Sequence, residues 1–298
     1  SNIEHRINIK NQTLTFFFTV IILTASLVSS AQDAQKARIN FKRMNKAGDF
    51  YHASIRAEYS VFCEITGKSG KKEIRKNKSL EMDGDLTVLE NDANGSPTSL
   101  RFRAEKISAK SGDSSELFSR GYGNFKLDWR DGKMVLTLDG ENLAPRPEEI
   151  ELLALVFRPP SSAALDGLIG TQEELSVGDK WFAPKDLLKE IFLKKGIKLE
   201  DGDISNISSL REKNKTDSGD CWVIENNVAV SGVPDFNFNY KAEIFLPCDN
   251  LTIPLKTMTK SSETIKRKKV DDGSLLSDDI EGMVININYS MNVELTAK

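Results

Sequence analysis

From Tyr51 to Ile65 every odd position is apolar or small: Tyr51, Ala53, Ile55, Ala57, Tyr59, Val61, Cys63 and Ile65. Most even positions between them are polar. Alternation of period two predicts a half-buried strand. At about 3.3 Å per residue this one would span roughly 50 Å, well beyond the usual strand length. The same signature closes the chain, where Met283, Ile285, Ile287, Tyr289, Met291, Val293 and Leu295 alternate with mostly polar partners. Between them, Phe125, Leu127 and Trp129 precede Asp131-Gly132, and Met134, Leu136 and Leu138 follow it. A two-residue Asp-Gly turn would set Trp129 against Met134, Leu127 against Leu136 and Phe125 against Leu138, one apolar face of a hairpin.

Further strands are predicted near 80–90, 98–108, 221–232, 236–248 and 251–258, with breaks at Asn94-Gly95-Ser96-Pro97 and Pro234-Asp235. Two helices interrupt the strands. Pro145 and Pro147 lead into 148–157, acidic in its first turn and stopped by Pro159-Pro160. Pro184 opens a second, whose Leu187, Leu188, Ile191 and Phe192 share a face and which Lys194, Lys195 and Gly196 close. The fold class expected is α+β, mainly β: long, curved antiparallel sheet with two principal amphipathic helices covering one face or mouth. Two halves, 49–171 and 172–298, each hold strands and one helix, as parts of one continuous domain or as two. Both contain Gly-Asp followed by aromatics, at Gly48-Asp49-Phe50-Tyr51 and Gly178-Asp179-Lys180-Trp181-Phe182. A diverged duplication would explain this, and so would coincidence.

Ahead of the first strand the pattern changes. Arg6 and Lys10 precede an apolar run from Leu14 to Val28 and then Ser29-Ser30-Ala31. The run is shorter than the roughly 20 residues of a spanning helix, and the small residues suit peptidase cleavage before Gln32. Residues 1–31 are therefore read as a cleaved signal peptide, and 32–48, polar and without sustained period, as a tether. The 298-residue chain carries a net charge of −3. Losing Arg6, Lys10 and Glu4 with the signal would leave 267 residues at −4. A near-neutral balance argues against nucleic-acid binding, and no later window is apolar enough to span a membrane as a helix.

Candidate chemistry is sparse. His5 leaves with the signal, so His52 is the remaining imidazole, which excludes multi-histidine metal sites. Its even position places it on the outer face with Ser54, Arg56 and Glu58. No catalytic residue, metal ligand or cofactor is nominated, and the ligand-binding residues are left open. Of three cysteines, Cys221 and Cys248 bracket an expected hairpin and are the possible disulfide. However, the even-numbered apolar faces (Trp222, Ile224, Val228, Val230 against Phe236 to Leu246) put the two on opposite parities unless a bulge intervenes. Cys63 reads as a buried, inert thiol.

Gly67-Lys68-Ser69 lacks the earlier glycine of a phosphate loop, and Gly121-Tyr122-Gly123 lacks the third glycine of a dinucleotide fingerprint. Acidic turns at 83–85, 201–203, 217–220 and 271–273 offer oxygens that calcium could use, but Asp-Gly turn chemistry explains them without metal. The lysines between Lys68 and Lys78 and the basic run 266–269 read as a solvated hairpin tip or edge, with contact to an anionic surface as the alternative. Sequons at Asn206 and Asn250 matter only where the source glycosylates.

The turn Val177-Gly178-Asp179-Lys180-Trp181, set after hairpins and a helix, resembles that of uncharacterised exported bacterial β-rich proteins. The resemblance implies a periplasmic or secreted bacterial setting and carries over no functional residue. The expected role is a non-enzymatic binding or structural protein of the envelope. Its partners would be another envelope protein or a polysaccharide. The alternatives are a periplasmic carrier of a lipid or other apolar ligand in a half-barrel and, behind it, a carboxylate-dependent hydrolase.

Overall fold

The computed structural model describes residues 36–39, 46–92, 97–112, 114–117, 124–130, 133–138, 146–157, 169–182, 184–193, 196–216, 219–248, 256–268 and 280–297. The expected signal peptide, most of the tether, Asn250, and the acidic segments 217–218 and 271–273 lie outside them. A small sheet pairs β1 (Lys36–Arg38) with β8 (Glu174–Ser176). The main sheet has 12 antiparallel strands. Its first half comprises β2 (Phe50–Gly67), β3 (Gly70–Asn91), β4 (Pro97–Ser111), β5 (Ser114–Leu117), β6 (Asn124–Arg130) and β7 (Lys133–Leu138). Its second half comprises β9 (Lys180–Phe182), β10 (Ile204–Thr216), β11 (Gly219–Val230), β12 (Phe236–Pro247), β13 (Lys256–Lys268) and β14 (Ile280–Ala297). The order is β7-β6-β4-β3-β2-β14-β13-β12-β11-β10-β9, with β5 beside β4.

The two strands that alternate most strictly meet in the middle. β14 pairs with β2 from Ile280 opposite Gly67 to Ala297 opposite Tyr51. Every apolar odd position therefore faces an apolar odd position, such as Ile55 with Val293 and Cys63 with Ile285. The predicted hairpin has the expected register, Phe125 with Leu138, Leu127 with Leu136 and Trp129 with Met134; its Asp-Gly turn lies outside the described residues. Gly67-Lys68-Ser69-Gly70 is the tight turn between β2 and β3, with Gly70 at φ 116°.

The apolar face carries two cores. One gathers the lower ends of β2, β3 and β14 with β4, β6 and β7 under helix α1 (Pro147–Val156), whose Leu152 and Leu153 are fully buried. The other gathers the opposite ends of β2 and β14 with β10 to β13 under helix α2 (Lys185–Leu193), through Leu188, Ile191 and Phe192. Each such side chain contributes about 1.5–3 kcal/mol on burial. Tyr59 packs against both cores, whereas Tyr289 is buried in the first and donates its hydroxyl to the Leu155 carbonyl of α1 at 2.9 Å.

One expectation is corrected. The helices are not principal elements: among the described residues α1 has 10 residues and α2 has 9, against strands of 18 and 22. α1 is also not amphipathic in a simple sense, because Glu149 is buried on it. Its carboxylate turns back to accept from the Arg146 amide at 2.9 Å, an N-terminal bond rather than a solvent-facing charge. The mainly β character stands. No helix among the described residues is long and apolar enough to cross a membrane.

Candidate binding trough

Because the register across the centre runs one-to-one without a shift, whole rows of side chains align across many strands. Tyr59 faces Lys78 on one side and Tyr289 on the other; Tyr289 faces Ser261, Ser261 faces Tyr240, and Tyr240 faces Val228. This row points to the apolar face. The rows on either side of it, one residue up and one down, point to the polar face.

A cavity of about 720 Å³ follows this line across eight strands, from β4 to β10. On most of these strands it is lined by three consecutive residues, for example Glu58-Tyr59-Ser60 and Asn239-Tyr240-Lys241. The inward neighbours two positions away, such as Ala57 and Val61, take no part. At its ends only outward residues contribute: Lys110 on β4 with Gly112 just past it, and Ser205 on β10. That pattern is a trough on the polar face, with the central row giving its main chain as floor and the flanking rows giving their side chains as walls. Tyr240 and Tyr289, only 5% and 4% exposed, show the trough their backbone. Burial raises the Tyr240 phenol well above its usual range, and the neighbouring Tyr289 adds to this.

The wall side chains carry hydroxyl, amide and ammonium groups, although more of the surface facing the cavity is apolar than polar. Ser60, Ser79, Ser262 and Ser290 line the centre, with Asn77, Asn227, Asn239 and Asn288 alongside. Lys110, Lys241 and Lys260 are the wall cations and Glu58 the wall anion. One carboxylate outside the wall organises part of it: Glu225 accepts from Asn227 Nδ2 at 2.8 Å and pairs with Lys241 Nζ at 3.3 Å and with Arg211. The Asn227 bond is the main reason the Glu225 carboxyl sits below the usual range; burial opposes it, and the bond and charge from Lys241 and the Arg211 charge reinforce it. Such a surface offers many donors and acceptors with a small positive excess. Among the described residues it contains no histidine, cysteine or aspartate, and Ala229 is its one outward apolar side chain.

The residues singled out from sequence fall elsewhere. The lysines nearest the Gly67–Gly70 turn, Lys68, Lys71 and Lys72, lie exposed at the hairpin tip as expected, but the stretch continues along β3, and Lys78 points inward to pair with Glu151 of α1. Asp83-Gly84-Asp85 is a bulged strand segment, with Asp83 and Asp85 flanking His52 at 3.4 Å each. Asp201-Gly202-Asp203 is a short 3₁₀ turn in which Asp203 accepts from the Glu200 amide at 2.7 Å and Asp201 pairs with Lys189. Cys63, Cys221 and Cys248 are free thiols in this structure, and Cys221 stands opposite Pro247. Burial raises the thiols of Cys63 and Cys221. Asn206 is buried and accepts from Asn226 at 2.9 Å, so its sequon is closed in the folded protein.

The trough and cores thus define a class, an open, strongly paired antiparallel sheet with helices on one face and a polar groove on the other. No family model matches the chain, and no curated protein does. Among solved structures it is similar to a DUF1329 family protein from Desulfovibrio piger (8% identity, 81% of this chain and 83% of that one, TM-score 0.15). It is also similar to a putative outer membrane lipoprotein-sorting protein domain from Vibrio parahaemolyticus (7%, 82% and 85%, TM-score 0.14). A third is a β-barrel-like protein of domain of unknown function DUF1849 from Brucella abortus (10%, 82% and 96%, TM-score 0.18).

Proposed function

We propose that the protein is a non-enzymatic binding module that holds an extended, anionic, polyhydroxylated chain, a stretch of acidic polysaccharide, in the trough. The observation that carries this is the cavity of about 720 Å³ walled by serine, asparagine and lysine across eight strands. At about 4.8 Å between strands the trough follows a path of roughly 30 Å, longer than a compact ligand needs. Hydroxyls and amides both donate and accept, which suits sugar hydroxyls, and the lysine excess suits carboxylate groups along the polymer. A carrier of apolar ligands is disfavoured because α1 and α2 occupy the apolar face. Export, expected from residues 1–31, would bring the trough to envelope or extracellular polymers.

The test is calorimetric titration of the full chain with polygalacturonate, a neutral glucan and a hydrophobic dye. Saturable, salt-sensitive polygalacturonate binding that weakens at least tenfold when Lys110, Lys241 and Lys260 are changed together to Gln is expected. Dye uptake with no polyuronate binding would overturn the reading in favour of a carrier, and polyuronate binding indifferent to the three substitutions would place the site elsewhere.

A further inference from the structure

A second polar cluster lies on the same face as the trough, near the start of β2, six residues before the point where the trough crosses that strand. His52 on β2 stands directly across from Asp85 on β3. Its Nδ1 lies 3.4 Å from Asp85 Oδ1, and its Nε2 lies 3.4 Å from Asp83 Oδ1. Glu105 of β4 completes the group: ligand atoms of His52, Asp85 and Glu105 all lie within 4.8 Å of one another.

Glu105 is brought there by a defect in the ladder. Asp83 pairs with Lys106 and Gly84 with Ala104, so Glu105 is the extra residue of a bulge, a device that re-aims a side chain. A Cβ on residue 84 would sit 2.2 Å from the Arg103 carbonyl oxygen, so only glycine lets β4 approach this closely. The sequence signal for the site is thus a glycine between two aspartates inside a strand. Of the nearby cations, Arg56 and Lys106 both pair with Glu81, at 2.9 and 3.5 Å, while Arg103 stands directly across from Asp85 in the ladder.

We propose that His52 Nδ1, Asp85 and Glu105 bind a divalent transition-metal ion of the zinc class, with Asp83 as a positioning residue. In a tetrahedral zinc site with bonds of about 2.0–2.2 Å, neighbouring ligand atoms are about 3.4 Å apart. The His52 and Asp85 atoms already have that spacing, and Glu105, exposed at the bulge, closes the remainder by side-chain rotation. Asp83 stands where a metal-bound imidazole needs a carboxylate, on the other ring nitrogen, accepting its N–H and fixing the tautomer. Three protein ligands leave a fourth position for water or for an anionic group of a bound ligand. An imidazole with two carboxylates suits zinc, cobalt or manganese better than calcium, which takes six to eight oxygens.

The experiment titrates the full chain with Zn²⁺, and separately with Co²⁺ and Ca²⁺, in a non-chelating buffer, with circular dichroism to confirm that each variant is folded. One Zn²⁺ per chain is expected, with a tetrahedral Co²⁺ visible spectrum. Binding should weaken at least tenfold in Glu105→Gln and in His52→Ala, and about tenfold in Asp83→Asn through loss of the orienting bond. Glu105→Gln is an exposed change outside the cores, so it keeps the test decisive should His52→Ala unfold the chain. Absence of saturable Zn²⁺ binding, Zn²⁺ binding unchanged by Glu105→Gln, or tighter binding of Ca²⁺ than of Zn²⁺ would each overturn the proposal.

Discussion

The two halves of the sheet open on the same turn and then part. Gly48 and Gly178 have φ of 97° and 98°. Asp49 accepts from the Lys46 amide and Asp179 from the Ser176 amide, both at 2.7 Å. Each turn then docks on a strand by two main-chain bonds, Gly48 and Asp49 with Val88, Gly178 and Asp179 with Leu210, at 2.7–3.0 Å. Two residues beyond each aspartate a large aromatic, Tyr51 or Trp181, is buried. After that β2 runs 18 residues into the centre of the sheet, whereas β9 stops after three and yields to α2. The turn sets the angle at which a strand begins. The residues downstream decide how far the strand runs: unbroken alternation to Ile65 in one half, Pro184 and a helical period in the other. Such detailed agreement of bonds favours a diverged duplication over coincidence, and we propose that the halves share that origin.

The cores repeat the theme with different parts. Phe157, just past α1, sets its edge against Phe102 and Phe125 at 6.1 and 6.3 Å. Phe192 of α2 does the same to Phe236 and Phe238 at 5.5 and 5.4 Å. The largest test of the comparison removes these wedges. Phe157→Ala and Phe192→Ala should each cost about 3–5 kcal/mol, read by urea unfolding. Trp129 borders the first core and Trp181 and Trp222 lie in the second, so single-tryptophan variants report each half separately. With β14 and β2 paired along their whole lengths, both reporters should shift together for either substitution. A Trp129 transition left in place by Phe192→Ala would show two independently folding domains instead.

A smaller effect probes the turns. A Cβ on Gly48 or Gly178 would meet nothing within 4 Å, so Gly48→Ala and Gly178→Ala test backbone conformation alone. Each should destabilise by roughly 1–2 kcal/mol, the cost of a left-handed conformation for a non-glycine residue, measured by thermal unfolding. Equal losses would sharpen the equivalence of the turns. A loss confined to Gly48→Ala would mean that the second turn relaxes because its strand is short.

The same contrast shows why some elements could be read from sequence and others not. β2, β14 and the Phe125–Leu138 hairpin carry unbroken apolar alternation, so their pairing follows from parity. β10 escaped because Asn206 and Ser208 occupy its inward face, where Asn226 donates to both at 2.9 Å; a satisfied polar group inside a sheet looks like solvent-facing sequence. The start of β3 escaped because Lys72, Lys76 and Lys78 sit opposite Ile65, Val61 and Tyr59, breaking the pattern before Leu80. The trough was illegible for a different reason. Each strand supplies ordinary serines and asparagines, and only the register across eight strands aligns them. The expected exposure of His52 is half of its situation: it is on the polar face, but the bulge at Gly84 surrounds it with carboxylates.

The smallest predicted effect is acid sensitivity, and it too divides between the halves. In the first, burial pushes the Asp128 carboxyl up, but the bond from Lys126, at 2.9 Å, with the charges of Lys126 and Arg130, outweighs it and holds it below the usual range. In the second, Glu225 is lowered chiefly by Asn227 and then by Lys241 and Arg211. A carboxyl lowered on folding stabilises the native state fully above its unfolded pKa, about 3.9 for Asp and 4.3 for Glu. That stabilisation is lost as pH falls through the folded value. Stability should therefore decline below about pH 4, and Asp128→Asn or Glu225→Gln should each flatten the acid limb by a few tenths to about 1 kcal/mol, given the exposure of their cationic partners. The two variants should differ in one respect. Glu225→Gln also releases Asn227 and Lys241 in the trough wall, so it should weaken polygalacturonate binding at neutral pH, while Asp128→Asn should leave it untouched. Equal ligand affinity in both variants would separate the Glu225 network from the trough and reduce it to a stabilising ion pair.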